Sequence, residues 1–310
     1  MPRAARELSR NLWIGTCSWK YDSWKGLIYD PGRKYTPNDY LADYARHYNT
    51  VEIDQWFWSL FGAGAKLPDP ETVAIYADSV PGDFLFTVKA PNSITLTHHY
   101  AKQSARNQHL ANKPNAHFLD VDLLERFLEI LQPLGNKLGP VMFQFEYLNR
   151  SKMPSLEAFI EKLGEFFARA PEGFEYAVEI RNPNYLKPAW FGFLKDGGIN
   201  PVLIDGYYMP PLAEVADKFD TSSGDVSIIR LMGTDRQKIE KQTAGLWDRI
   251  VSAKEDSLES VARIVKGNIE RIRRTIVNVN NHYEGCAVLT IDRLIDMLER
   301  RPNERQEHRK

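Results

Sequence analysis

The residues able to do chemistry in this chain stand at the ends of short β-branched and aromatic runs. Glu52 and Asp54 lie in VEID, Lys89 closes FTVK, Gln144 and Glu146 close FQFE, and Glu179 and Arg181 close AVEIR. Asp205 ends LID, Arg230 ends IIR, and Asn278, Asn280 and Asn281 punctuate VNVNN. A strand covered on both faces is normally an unbroken apolar run, and a buried charge without a partner is costly, so these groups are expected to meet in a site. Glu52 and Glu179 are the catalytic candidates, because two carboxyls in unlike surroundings can divide the roles of general acid and general base. With Arg181 beside it Glu179 stays ionised, which leaves Glu52 as the proton donor. Lys89, Arg181 and Arg230 read as a clamp for an anion. Gln144, Asp205, Asn278, Asn280 and Asn281 supply directional hydrogen bonds to hydroxyls or a base edge. The structural alternative is that these charges only neutralise one another as ion pairs.

Lys89 carries a second reading, as a desolvated amine that forms a Schiff base with a carbonyl substrate or with pyridoxal phosphate. Neighbouring carboxylates that hold it charged rank an ion-pair or phosphate-binding lysine first, and no cofactor is expected. Five of the seven tryptophans fall between Trp13 and Trp58. Trp13 reads as core under the first two helices. Trp19, Trp24 and Trp56, just beyond strand ends, read equally as a wall of the site that stacks on a sugar ring or nucleobase and as further core packing. His98 belongs to a long loop with His99, His109, His117, Lys102, Arg106 and Lys113, read as a lid over an anion or as a solvated surface. No H-E-x-x-H occurs, so no metal site is assigned; a single divalent ion on Glu52, Asp54 or Glu179 is the alternative.

These side chains need strands to hold them. Eight strand-like runs are expected over 12–17, 51–54, 84–89, 141–145, 176–181, 202–205, 226–231 and 276–280. Helical spacing falls between them at 41–48, 70–77, 121–131, 156–168, 189–194, 212–218, a long stretch from Lys238 toward Ile272, and 289–298. Strands alternating with helices predict parallel βαβ units, and eight of them an α/β fold of the (β/α)8 TIM type. An open doubly wound sheet is the runner-up, but GTCSWKYDSW after the first strand has no G-x-G-x-x-G. Alternation along each strand turns Glu52 with Asp54, Thr87 with Lys89, Gln144 with Glu146, Glu179 with Arg181, Leu203 with Asp205, Arg230 with Met232, and Asn278 with Asn280 toward the barrel interior. One domain over residues 1–298 is expected, with long loops after strands 3 and 7 and a charged, frayed tail over 299–310.

The formal net charge is -1 over 310 residues, which offers no global attraction to nucleic acid or anionic membrane. Two cysteines, Cys17 and Cys286, make no disulfide framework. No apolar stretch is long enough to span a bilayer and the first ten residues lack the apolar core of a signal peptide, so a cytoplasmic protein, monomer or homodimer, is expected.

Read in order, GTCSW, VEID before an aromatic cluster, FTVKAP with ITLTH, LGPVMFQF, AVEIRNPNY, RLMG and VNVNNHYEGCAVLT resemble the YecE-like family, domain-of-unknown-function family seventy-two, from about Trp13 to Leu298. The resemblance implies a TIM-type barrel and no established reaction. Glu52, Lys89, Gln144, Glu179, Arg181, Arg230, Asn280 and Asn281 match the family pattern. Departures are Asp54-Gln55-Trp56-Phe57-Trp58 where a small polar stretch is usual, Met232 where a His commonly stands, and Val279 in place of Phe. A histidine-dependent step at position 232 is therefore not expected.

The resulting expectation is an enzyme of hydrolase- or lyase-like acid/base chemistry, acting on a small anionic, phosphorylated or sugar-like substrate at the carboxyl ends of the strands. The competing class is a non-catalytic binder of a nucleotide or single-stranded nucleic acid through stacking and basic residues.

Overall fold

A computed structural model of the chain describes residues 8–62, 64–221, 225–272 and 274–300. Most of the expected tail, residues 301–310, lies outside them. Eight parallel strands close a barrel: β1 (Leu12–Thr16), β2 (Thr50–Ile53), β3 (Leu85–Lys89), β4 (Leu138–Gln144), β5 (Tyr176–Glu179), β6 (Asn200–Gly206), β7 (Val226–Gly233) and β8 (Arg274–Val279). Each neighbours the next in sequence, and β8 pairs with β1 to complete the ring. The expected (β/α)8 barrel is the observed fold.

Helices cover the outside, and their starts are chemically marked. Thr36 caps α1 (Pro37–Tyr44) in a capping box with Asp39, Asp69 caps α2 (Pro70–Asp78), and Ser155 accepts the Ala158 N–H ahead of Leu156–Phe167. The stretch expected to run as one helix from Lys238 is two, Arg236–Thr243 and Glu255–Arg271. The break is at Ala244 and Gly245, with φ of 53° and 76°: left-handed backbone ends a right-handed helix. The loop after β3 contains a helical turn at Asn92–Thr95 and a 3-10 segment at Ala105–Leu110 before the helix Val121–Leu131. The sequence reading did not anticipate a small antiparallel pair of Leu60–Phe61 with Gly64–Ala65, beyond β2.

The core has three parts, the smallest being Cys17, Ile204 and Met232. Outward-facing strand residues such as Val51, Val88, Phe143, Val178, Ile229 and Val277 pack under the helices, while Leu85, Met142, Ala177, Val202, Ile228 and Ile276 fill the barrel floor. Trp13 packs against that floor cluster with Arg274 over its ring, a correction to its expected place under the first helices. The floor closes the amino-terminal end, so whatever the barrel interior offers opens at the carboxyl ends.

Candidate functional site

Strand register assembles the interior layer above the floor. Glu52 pairs with Thr87, Gln144 with Glu179, and Arg230 with Asn278, so their side chains enter the barrel at similar height. Arg230 sits among them. Its Nε and Nη2 each donate to one oxygen of Glu52 at 2.7 Å, and Nη1 donates to Glu179 and, at 3.2 Å, to Gln144. Arg181 Nε donates to the other Glu179 oxygen at 3.0 Å. Asn278 donates to the Thr87 hydroxyl at 3.2 Å. Glu52 and Glu179 are completely buried and Arg230 is 1% exposed, so this is the sealed bottom of the site.

Two assignments change here. Four of the five N–H donors of Arg230 are spent on protein oxygens, so it does not clamp an external anion. Both Glu52 oxygens accept from one guanidinium, so the carboxyl expected to donate a proton is engaged in a buried bidentate pair. Burial pushes the Glu179 carboxyl up, but Arg230, Arg181 and Lys89 outweigh it and hold it below the ordinary carboxylate range. Arg230 also fills the space between Glu52 and Glu179 where a divalent ion would bridge them. Among the described residues no group of three or more His, Cys, Asp or Glu gathers to hold a metal.

Lys89 and Asp54 lie one layer higher, just past the paired residues Val88 and Ile53 of neighbouring strands. Lys89 is 7% exposed, with its Nζ 3.9 Å from the centre of the Phe57 ring. Among the described residues its ammonium has no hydrogen bond and no carboxylate within salt-bridge distance. Burial, then the charge of Arg230, push the amine down to about 8 against Glu52, Glu179 and Asp54. Burial, then Glu52, push the Asp54 carboxyl up to about 6 against Lys89 and Arg230. Cys17 stands in the same layer, its Sγ 3.8 Å from Met232 Sδ, and burial and Glu52 raise its thiol.

Arg181 is the accessible guanidinium. Its side chain is 22% exposed and lies over the Tyr207 ring at 3.9 Å, and Nε alone is engaged, which leaves both terminal nitrogens without a partner among the described residues. Tyr207 and Tyr208 follow β6 with φ of 49° and 62°, left-handed conformations that cost a bulky residue about 1–3 kcal/mol each. Gly206 and Gly233 make that turn feasible: a Cβ on Gly206 would stand 2.3 Å from the Gly233 carbonyl oxygen. Nothing in the sequence reading marked Tyr207; two consecutive tyrosines after an Asp-Gly were the available signal.

Other candidates are placed elsewhere. Asp205 faces outward, where it accepts hydrogen bonds from Ser257 and, at 2.8 Å, from Tyr283; Ile204 and Val202 point inward instead. Three apolar residues precede Asp205, so the strand was apolar on both faces and the lone acid misled the parity. Trp19 and Trp24 are completely buried and Trp56 is 8% exposed, stacked on Tyr76, so the expected stacking wall is core. The exposed rings are Trp58, Phe61, Tyr100, Tyr147 and Tyr208. Asn281 is buried and accepts the Ala287 N–H at the start of Ala287–Glu299. Asn280 accepts from the His282 backbone, and the His282 ring reaches Glu240 at 3.0 Å. His98 pairs its ring with Thr97 and its backbone with Pro114.

No helix among the described residues is long and apolar enough to cross a membrane. Comparison with curated proteins finds no match. Among solved structures, a DUF72 family protein from Thermotoga maritima MSB8 superposes with a TM-score of 0.64 at 22% identity, over 93% of this chain and 99% of that one. A DUF72 family protein from Enterococcus faecalis V583 gives 0.61 at 18% identity, over 94% and 96%. Those likenesses carry the barrel fold. The model of the family described as "Protein of unknown function DUF72" matches residues 13–310, and the chain belongs to that family.

Proposed function

We propose that this barrel performs acid/base chemistry, of the hydrolase or lyase kind, on a small anionic substrate held over the carboxyl ends of the strands. One observation carries the reading. Glu52 and Glu179 are already matched by Arg230 and Arg181, so Lys89 and Asp54 are a surplus pair whose proton affinities are driven toward each other, to about 8 and about 6. Groups whose proton affinities lie on either side of neutral can each give or take a proton with a substrate there, which a fixed ion pair does not. Arg181 takes the anion with its two free terminal nitrogens, as guanidinium does for carboxylate or phosphate. The roles first given to Glu52 and Glu179 pass to Asp54 and Lys89, and the two glutamates hold Arg230 and Arg181 in place.

The test is ligand-dependent thermal stabilisation with a panel of small phosphorylated and carboxylated compounds and inorganic phosphate. Binding should weaken about tenfold or more in Arg181→Ala, the loss of a charge-assisted hydrogen bond. Equal binding by Arg181→Ala, or no stabilisation by any anion, counts against the reading. The exposed rings Trp58 and Tyr100, 6.4 Å apart, favour a second reading, a stacking binder of a nucleotide or single strand. Single-strand binding would collapse steeply as salt rises, whereas a small-molecule site responds mildly.

A further inference from the structure

We propose that Lys89 is a nucleophile that forms a Schiff base with a small aldehyde or ketone bearing an anionic group. This rests on the site described above and names its substrate class. Three features of the position point to a nucleophile and away from a purely electrostatic lysine.

First, the amine is enclosed in a barrel and rests on an aromatic face, with no carboxylate within salt-bridge distance and no hydrogen-bond acceptor among the described residues. A lysine recruited for its charge is normally paired with a carboxylate; this one has no such partner among the described residues. Second, Glu52 and Glu179 are already paired with Arg230 and Arg181, so Asp54 is the one nearby carboxylate not matched by an arginine, and it makes no ion pair with Lys89 among the described residues. The charged groups facing it are Arg230 on β7, Glu179 on β5, and Glu52 and Asp54 at β2, and burial with Arg230 prevails, favouring the free base. Third, an acid sits on the adjacent strand end: Asp54 follows Ile53, whose register partner is Val88, the residue before Lys89.

The step balances without an oxidant or reductant. The Lys89 lone pair attacks the carbonyl carbon, the carbonyl π electrons move to oxygen, and a proton passes from the now positively charged nitrogen to that oxygen, giving a neutral carbinolamine. Asp54, in its protonated form, gives a proton to that hydroxyl, which leaves as water as the nitrogen lone pair forms the C=N bond. The resulting iminium is the electron sink for bond cleavage or proton loss at the neighbouring carbon, and hydrolysis returns the amine. Arg181 holds the anionic end of the same molecule. The Phe57 ring supports the nitrogen from one side, its centre 3.9 Å away.

The experiment is borohydride trapping. The intact protein is incubated at pH 7 separately with glyoxylate, pyruvate and glyceraldehyde 3-phosphate, reduced with sodium borohydride and mapped by peptide mass spectrometry. An amine titrating at about 8 is free base at pH 7 some two hundred-fold or more above an ordinary lysine at 10.5. Lys89 should therefore carry the adduct at least about tenfold above every exposed lysine for one of the three carbonyls, even after its lower intrinsic nucleophilicity is allowed for. Labelling of Lys89 should fall in Arg181→Ala, and Asp54→Asn should slow trapping although it removes a negative charge from an anion site. Labelling of Lys89 no greater than of exposed lysines with all three compounds overturns the proposal. If anions still stabilise the protein in that case, only the Schiff base is lost; if they do not, the site reading falls with it.

Discussion

Arg230 turns one edge of its guanidinium onto Glu52, with two parallel contacts of 2.7 Å, across a barrel whose strands separate the two residues by 178 positions in the chain. The same side chain reaches Glu179 and Gln144 through Nη1, so strands β2, β4, β5 and β7 are tied at one level. A buried cluster of this kind is costly to desolvate and costly to break, and it sets the height at which the apolar floor gives way to a polar site.

Removing the cation leaves the buried Glu52 carboxylate uncompensated and Glu179 with Arg181 alone. Arg230→Met should lower unfolding free energy by about 3–5 kcal/mol, the range for breaking a buried ion pair from one side. The combined change Glu52→Gln, Glu179→Gln and Arg230→Met should recover much of that loss. Urea denaturation measures both; a single mutant within 1 kcal/mol of wild type, by the linear-extrapolation error, would contradict the cluster's role.

Stability should vary with pH in three windows. Glu179 is held below its ordinary value, so its contribution is complete above that value and is lost as pH falls through its folded range, below about 4.5. Asp54 is raised from 3.8 to about 6, so the folded state binds the extra proton and stability declines as pH rises across that interval. Lys89 is lowered from 10.5 to about 8, so the unfolded chain binds more protons there and stability rises with pH between those values. Asp54→Asn should flatten the second window and Lys89→Met the third. Denaturation profiles in which both variants keep the wild-type slopes would refute the assignments.

Tyr207 stacks on Arg181 from a left-handed backbone. Tyr207→Gly should relieve about 1 kcal/mol of backbone strain and so leave thermal stability unchanged or higher, while anion affinity drops several-fold as Arg181 loses its support. Loss of stability with affinity intact would reverse the argument.

The tryptophans divide by burial. Trp19→Ala should cost about 3–5 kcal/mol as a core truncation, and Trp58→Ala should stay within about 0.5 kcal/mol as a surface change. Acrylamide should quench Trp58 and spare Trp19. Any substrate that loses affinity in Trp58→Ala identifies the exposed rings as part of its binding surface.

Asp205→Ala should cost stability, about 1–3 kcal/mol, because it strips the partner from Ser257 and Tyr283, and it should leave anion binding unchanged. A selective loss of binding would return Asp205 to the site.

Much of this was written into the chain locally. Eight β-branched and aromatic runs at barrel spacing, most ending in a polar group, specify strands, and the alternation of Glu179 with Val178 or Arg230 with Ile229 specifies which face enters the barrel. That is why Glu52, Lys89, Gln144, Glu179, Arg181 and Arg230 were legible as one interior set. Where the pattern lost contrast, as in Val202-Leu203-Ile204-Asp205, parity failed, and only the packing of Ile204 against Cys17 and Met232 decided the face.

What spacing does not encode is which charge meets which. Periodicity orders side chains along one strand, but hydrogen-bond partners come from the shear between strands, so only the closed barrel could spend Arg230 on Glu52 and leave the terminal nitrogens of Arg181 without a partner among the described residues. Exposure is likewise a property of the whole surface: Trp19, Trp24 and Trp58 look alike in sequence, and packing of the helices against β1 and β2 buries the first two and leaves the third in solvent. The amino-acid sequence determined the barrel and the inventory of its interior; the tertiary structure decided the pairing, and with it which groups are left over to react.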